Sequence, residues 1–291
     1  MSSPDTLARD QTPTAAAARP NRLGLFTNEL AVVFRRLRTI VLLACYAAVP
    51  VLFGFVLRFA ADPGASGGDA PGFIASVTQN GLFLPFLAMF FLLPLFLPVG
   101  VAVVAGDSVA GEAHLGTLRY LLVAPAGRVR LLAAKLVSVF AFCLVAPVVV
   151  AVFGLLVGLA LFPHTGMPLL TGTTISYGQG LWRVFLVTCY VAASLTGIGM
   201  IGLFASTLTE APLGAMAATV ATPLVSQILG AVPQLAVIQP YLPTHQWLTF
   251  VDLLRDPIYT PNLLNGLLIQ LVYVLVFTSA AYARITTRDV A

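Results

Sequence analysis

One spacing in this chain matches a cofactor motif, and three glycines form it. Gly197, Gly199 and Gly202 spell G-x-G-x-x-G, the pattern with which a strand-turn-helix unit binds the pyrophosphate of a dinucleotide. Here the pattern lies inside a long apolar run, with no strand before it and no acidic residue at the required distance after it. We therefore interpret these glycines as sites of close helix packing in a membrane.

A second pair of glycines has the spacing of a phosphate-binding loop. Gly111 and Gly116 are separated as in that loop, yet Thr117 and Leu118 stand where lysine and serine or threonine are required. The histidines are scattered along the chain: His114, His164 and His245. Neither H-E-x-x-H nor G-x-S-x-G occurs. The sequence predicts no catalytic residue, no metal site and no cofactor bound by this chain.

The composition is that of a polytopic membrane protein. Hydrophobic residues make up 59% of the 291 and charged residues only 9%, and the mean hydropathy is +0.96. These values exclude an ordinary soluble domain. The net charge of +4 is small, and the basic residues occur beside apolar runs, so we expect no nucleic-acid partner. Cys45, Cys143 and Cys189 lie inside apolar runs and share no close spacing, which argues against disulfides and metal knuckles.

Six apolar segments are each near or above the roughly 20 residues that a helix needs to cross a bilayer. They span residues 39–59, 80–106, 131–162, 181–208, 211–236 and 262–284. The sequence therefore predicts an all-α fold with six transmembrane helices. The fourth and fifth are joined by only a few residues, which predicts a tight hairpin.

The distribution of basic residues predicts the orientation of these helices. Twelve of the 15 Lys and Arg residues fall on one side if both termini are cytosolic: Arg9, Arg19, Arg22, Arg35, Arg36, Arg38, Arg119, Arg128, Arg130, Lys135, Arg284 and Arg288. Arg58, Arg183 and Arg255 are left outside. By the positive-inside rule, both termini and the stretch 107–135 are expected in the cytosol.

The regions outside the spans are short. Residues 1–21 are rich in Pro, Ser, Thr and Ala and are expected to be a disordered cytosolic tail. Residues 22–38 have the periodicity of an amphipathic interfacial helix, whose clustered arginines Arg35, Arg36 and Arg38 are expected to lie on lipid phosphates; docking on a cytosolic partner helix is the alternative.

The last outer connection, residues 237–261, is predicted to contain a short helix over 244–254. Thr244 is expected to cap it, and Trp247, Phe250, Val251 and Leu254 would form its apolar face, with Trp247 at headgroup depth.

The stretch from Asp107 to Lys135 is the only long internal run dense in charge. A helix from Asp107 to Val123 would place Leu115, Leu118 and Leu122 on one stripe and Glu112 and Arg119 on another. Such a helix can lie along the membrane surface and present a charged edge to the cytosol. The alternative interpretation is a solvated loop that only orients the spans.

The positions of the carboxylates bear on how transport would be driven. Ion-driven carriers usually keep ionisable residues within the membrane. Here Asp107, Glu112 and Glu210 are expected at cytosolic ends or turns, and no carboxylate is expected at the middle of a span. A transporter with neither a nucleotide site nor an ion relay needs an external motor, for which a docked ATPase is the simplest candidate.

The 107–135 stretch resembles the signature of permeases of the ATP-binding-cassette type 2 family. The residues that carry the resemblance are Glu112, Gly116-Thr117-Leu118, Leu121-Leu122, Pro125, Arg128 or Arg130, and Lys135. The six-span layout, the N-terminal amphipathic helix and the short basic C-terminal tail are also similar. One departure is Arg119, because many members carry an acidic residue directly after Gly-Thr-Leu.

This resemblance implies a function for each part of the chain. Residues 39–291 would be the permease domain, with a coupling segment at 107–130 whose helix docks on a separate ATPase. The coupling residues would be Asp107, Glu112, Leu115, Gly116, Thr117, Leu118 and Arg119. Two such ATPase subunits would bind ATP and Mg²⁺. The other expected partners are a second permease copy or homologue and membrane lipids.

The resemblance further implies an exporter in the bacterial plasma membrane. Two permease copies would enclose a route lined by proline-kinked spans two and five, and an uncharged path favours an amphipathic or lipid-like substrate. Two alternatives remain: a channel or secondary carrier not driven by ATP, and a membrane anchor or sensor that recruits an ATPase without transport.

Overall fold

The computed structural model describes residues 22–60, 80–114, 125–163, 166–169 and 171–287. Most of these residues are helical. In chain order the helices are α1 (Arg22–Arg35), α2 (Leu37–Phe55, continued by a π turn over Val56–Ala60), α3 (Phe83–Leu92), α4 (Phe96–His114), α5 (Pro125–Leu161), α6 (Tyr177–Leu208), α7 (Pro212–Gly230) and α8 (Thr260–Thr287). Between α5 and α6, β1 (Met167–Pro168) and β2 (Thr174–Ile175) pair antiparallel.

Six of the helices are long and apolar enough to cross a membrane, which confirms the predicted number of spans. Their candidate spans are Leu37–Phe59, Phe96–His114, Val129–Leu161, Tyr177–Leu208, Pro212–Gly230 and Thr260–Thr287. The α6 span lies at the centre of the bundle. In its most apolar stretch 67% is buried inside the protein, against 17% in the corresponding stretches of α2 and α8. The fold is therefore a helical bundle arranged around α6.

The second span differs from the prediction. Residues 80–106 were expected to form one helix, but the chain turns at Leu93–Leu95 and divides the segment into α3 and α4. Pro94 lies in this turn, and a proline in a helix interior removes one backbone hydrogen bond and clashes with the preceding turn. Because α3 has only 10 residues and buries nearly all of them, it is a core helix, and α4 provides the span.

The end of the fifth span also differs from the prediction. Helix α7 stops at Gly230 rather than at residue 236, and a short 3₁₀ turn, Pro233–Leu235, follows. Proline at the first position of that turn cannot donate the hydrogen bond that would continue α7. Pro50, Pro147 and Pro223, in contrast, lie inside continuous helices, as membrane helices tolerate when neighbours satisfy the freed backbone groups.

The glycines of the G-x-G-x-x-G pattern pack against three different helices. A Cβ atom on Gly197 would lie 2.2 Å from Gln270 of α8, one on Gly199 2.8 Å from Val139 of α5, and one on Gly202 2.8 Å from Thr219 of α7. All three distances are too short for a real contact. The expectation of close helix packing is therefore confirmed, and these glycines let α6 approach its neighbours.

The connection between α7 and α8 contains the predicted short helix, but its details differ. It is a 3₁₀ helix, Trp247–Leu254, with Gln246 at the N-cap position and no side-chain cap. Thr244 instead contacts the hydroxyl of Ser226 at 2.6 Å. The predicted apolar face is buried at Trp247, Phe250 and Leu254. The Trp247 side chain is 2% exposed and packs inside the bundle, and its position at headgroup depth stays a prediction.

Candidate functional site

Six charged side chains meet at one end of the bundle, and we call them the charge cluster. They come from α1, from the junction of α1 with α2, from the last turns of α4 and from the first turns of α5. The members are Glu29, Arg36, Arg38, Asp107, Glu112 and Lys135. A shallow cleft between these helices is lined by most of them.

Asp107 joins α4 to the junction of α1 and α2. Arg36 lies between the two helices, with extended backbone angles of φ −65° and ψ 130°, so α1 ends and α2 begins with a bend. This bend replaces the single helix predicted over 22–38. The guanidinium groups of Arg36 and Arg38 both donate to Oδ2 of Asp107. The Asp107 side chain is only 7% exposed, so these charge-assisted bonds stabilise an otherwise costly buried carboxylate.

Lys135 joins α5 to α1 and α4. Its ammonium group donates to Glu29 at 3.0 Å and to Glu112 at 2.6 Å. The Lys135 side chain is 2% exposed and each glutamate side chain 18%. A buried ammonium group is stable only when it is paired and hydrogen-bonded. Lys135 therefore holds three helices together at the point where their charges would otherwise oppose burial.

The same part of α4 is fixed to α6 and α7 by uncharged contacts. The hydroxyl of Ser206 in α6 accepts hydrogen bonds from the backbone N–H groups of Val109 and Ala110, at 2.9 and 2.8 Å. Next to them, a Cβ atom on Gly106 would lie 2.8 Å from the backbone nitrogen of Met216 in α7. The last turns of α4 thus contact every neighbouring element at this end of the bundle.

The geometry of the cluster is that of a mechanical junction. Three cations and three carboxylates balance, and each makes a hydrogen bond within the cluster. Among the described residues, no group of three or more His, Cys, Asp and Glu side chains could hold a metal ion. The cluster therefore connects α4 to α1, α2 and α5 through the buried carboxylate of Asp107 and the buried ammonium group of Lys135.

The structure locates two of the seven predicted coupling residues. Asp107 and Glu112 lie in the charge cluster, and both are bonded within the chain. The others, Leu115, Gly116, Thr117, Leu118 and Arg119, lie outside the described residues, as does most of the predicted helix from Asp107 to Val123. The predicted start of that helix is wrong, because α4 runs without interruption from Phe96 to His114.

The carboxylates of Asp107 and Glu112 lie within about the last two turns of α4, at the charge-cluster end of the bundle. Their depth in the membrane stays a prediction.

Sequence reasoning missed the partners of these acidic residues. Arg36 and Arg38 were assigned to lipid phosphates, Glu29 received no role, and Lys135 was noted only as part of the signature. One signal was available: Lys135 is followed directly by a long apolar run, and a lysine in that position needs a buried partner unless it reaches the interface.

These observations define the class of protein as a multi-pass helical membrane protein with a charge cluster at one end of its bundle. More specifically, the chain belongs to the family described as "Protein of unknown function (DUF2705)", whose family model matches residues 71–220. The match covers slightly more than half of the 291 residues and includes α3 to α6, hence Asp107, Glu112 and Lys135. No curated protein matches the chain.

Proposed function

We propose that this chain is the membrane-spanning permease subunit of an ATP-binding-cassette exporter of type 2, located in a bacterial plasma membrane with both termini in the cytosol. A separate ATPase would bind ATP and Mg²⁺ and drive the transport. A second permease copy or homologue would complete the route, and the substrate would be amphipathic, such as a drug, antibiotic, peptide or lipid-like molecule.

The observation that carries the proposal is the connection of the α4 end to its neighbours. Through Asp107, Glu112 and Ser206, this end is bonded to the α1–α2 junction, to α5 and to α6. A force applied to the segment that follows α4 would therefore move several helices together. An external motor that docks on that segment needs such a rigid connection, because a loosely held helix end would absorb the displacement.

The predicted coupling residues before His114 and those after it have different roles. Leu115, Gly116, Thr117, Leu118 and Arg119 are the residues we assign to contact with the ATPase, from the sequence signature. Asp107 and Glu112 act instead as positioning residues, because their carboxylates bind Arg36, Arg38 and Lys135 inside the chain. A docking surface built from the first group would then be held in place by the second.

The proposal is tested by introducing charge into the docking segment of the full chain. Leu118→Glu is expected to abolish co-purification of an ATP-hydrolysing subunit and ATP-dependent flux in proteoliposomes, while the amount of inserted protein stays unchanged. Arg58→Glu, at the opposite end of α2, is the matched control and should leave both readouts unchanged. Normal ATP-dependent flux in Leu118→Glu would contradict the proposal.

One observation favours a second candidate, a secondary carrier driven by an ion gradient. Asp107 and Glu112 lie inside a candidate span, and ionisable residues there often mark ion pathways. Flux that persists in ATP-free vesicles under an imposed proton gradient, and that is lost in Asp107→Asn, would favour the carrier. ATP hydrolysis by an associated subunit without any flux would instead indicate a membrane anchor or sensor.

A further inference from the structure

We propose that Arg36 and Arg38 form a binding site for the phosphate group of an anionic phospholipid, in the leaflet that surrounds the charge-cluster end of the bundle. This inference requires only that the chain spans a membrane, and it is independent of how transport is driven.

Arg36 and Arg38 carry more hydrogen-bond donors than Asp107 accepts. A guanidinium group carries five N–H donors, and within the described part of the chain Arg36 and Arg38 both use them on a single oxygen atom of Asp107. The Arg36 and Arg38 side chains are 35% and 44% exposed, whereas Asp107 is buried behind them. Donors that Asp107 does not use therefore belong to partly exposed side chains, where a phosphate can accept several of them at once.

Local charge also favours an anionic ligand at the α1–α2 junction. One carboxylate faces two guanidinium groups there, so Arg36, Arg38 and Asp107 together carry an excess of one positive charge. An anionic ligand is consequently attracted to this junction.

The apolar surface of α2 favours a lipid over a free phosphate ion. The candidate span of α2 begins at Leu37, directly between the two arginines. From there an apolar stripe follows one face of α2 at helical spacing and is exposed along its length. Its first members are Leu37, Ile40 and Val41. A phosphate bound by Arg36 and Arg38 would place its acyl chains along this stripe, which offers nothing to an inorganic ion.

The structure also separates the arginines that the sequence grouped together. Arg35 is exposed in the last turn of α1, and within the described residues it is not part of the charge cluster. Arg36 and Arg38 are oriented by Asp107. Binding at a specific lipid site is expected to depend on Arg36 and Arg38, whereas general attraction to an anionic surface would depend on all three arginines equally.

The experiment measures retention of phosphatidylglycerol by the delipidated full-length chain in a non-ionic detergent, by native mass spectrometry and by thermal shift. Phosphatidylcholine and inorganic phosphate are the comparison ligands. Arg36→Gln/Arg38→Gln is expected to weaken phosphatidylglycerol binding about tenfold or more, and Arg35→Gln less than about twofold.

A control for folding is available in the triple variant Arg36→Gln/Arg38→Gln/Asp107→Asn, which removes the three charges together and leaves no unpaired carboxylate. It is expected to stay folded and to bind phosphatidylglycerol as weakly as the double variant. Equal losses in Arg35→Gln, wild-type affinity in the triple variant, or an equal stabilisation by inorganic phosphate would each overturn the proposal.

Discussion

Lys135 donates a 2.6 Å hydrogen bond to Glu112, although the two residues lie on different helices and are separated by 23 positions in the chain. The contact joins the last turn of α4 to α5, the helix that begins at Pro125.

Replacement of Lys135 by methionine is expected to destabilise the protein. The change keeps an unbranched side chain of similar length but removes the cation that lies between Glu29 and Glu112, and loss of one partner of a buried ion pair costs about 3 kcal/mol or more. Thermal unfolding in detergent, followed by tryptophan fluorescence, measures the effect.

The matched control is Lys135→Met combined with Glu29→Gln and Glu112→Gln. Neutral side chains in the same positions should recover most of the lost stability, because the two negative charges that Lys135 balanced are then removed as well. Equal stability of wild type and Lys135→Met would show that the ammonium group contributes little to the bundle.

Ser206→Ala is expected to loosen the contact between α4 and α6. The Ser206 hydroxyl accepts hydrogen bonds from Val109 and Ala110, and loss of a buried acceptor costs about 1 kcal/mol or more. Hydrogen exchange of the α4 amides should therefore become faster. Thr188→Val is the control on the same helix, since the Thr188 hydroxyl donates to Val184 within α6 and its removal should not affect α4.

The number of spans could be predicted from the sequence, because a bilayer requires long apolar helices whatever their neighbours are. The division of the second span could not. Pro50 and Pro94 both lie in apolar runs, yet α2 continues through Pro50 while the chain turns at Pro94. Whether a proline ends a helix depends on which neighbours satisfy the freed backbone groups, and that information lies in the packing.

The contacts within the charge cluster could not be predicted from the sequence either. Glu112 and Lys135 were both recognised from a local pattern, but Glu29 belongs to a helix far away in sequence. Its pairing with Lys135 spans 106 positions, and no periodicity within one helix encodes a contact of that range. The tertiary arrangement also changed the interpretation of Arg36 and Arg38, since Asp107 reaches them only after α4 has packed against α2.

Gly106→Ala is expected to force α4 and α7 apart. The added Cβ atom would meet the backbone of Met216 at 2.8 Å, and overpacking of this kind costs about 1–3 kcal/mol. Gly178→Ala is the matched control, because a Cβ atom there meets nothing within 4 Å. In the first turn of α6 this substitution should raise stability by up to about 1 kcal/mol. Melting temperatures of the two variants should therefore move in opposite directions, and a shift in the same direction would contradict the observed approach of α4 to α7.

Tyr190→Phe is expected to release the 3₁₀ helix Trp247–Leu254 from α6. The Tyr190 hydroxyl donates to the carbonyl of Gln246 at 2.7 Å and contacts Thr249 at 2.8 Å. Without it, limited proteolysis between Gln239 and Arg255 should become faster, while the spans stay resistant. Tyr282→Phe removes an exposed hydroxyl from α8 and should leave the cleavage rate unchanged. An unchanged rate in Tyr190→Phe would indicate that packing of Phe250 and Leu254 alone holds the segment.

The orientation inferred from the basic residues predicts which end of the bundle faces the cytosol. In a chain whose Cys45, Cys143 and Cys189 are replaced by alanine, a single cysteine at Arg130 should react with a membrane-impermeant maleimide in inverted vesicles only. A single cysteine at Arg58, at the opposite end, should react in right-side-out vesicles only. Both positions are exposed in the structure, so a difference in labelling reports the side of the membrane rather than burial. The reverse pattern would place the charge cluster and the segment after α4 outside the cell, where no ATPase could reach them.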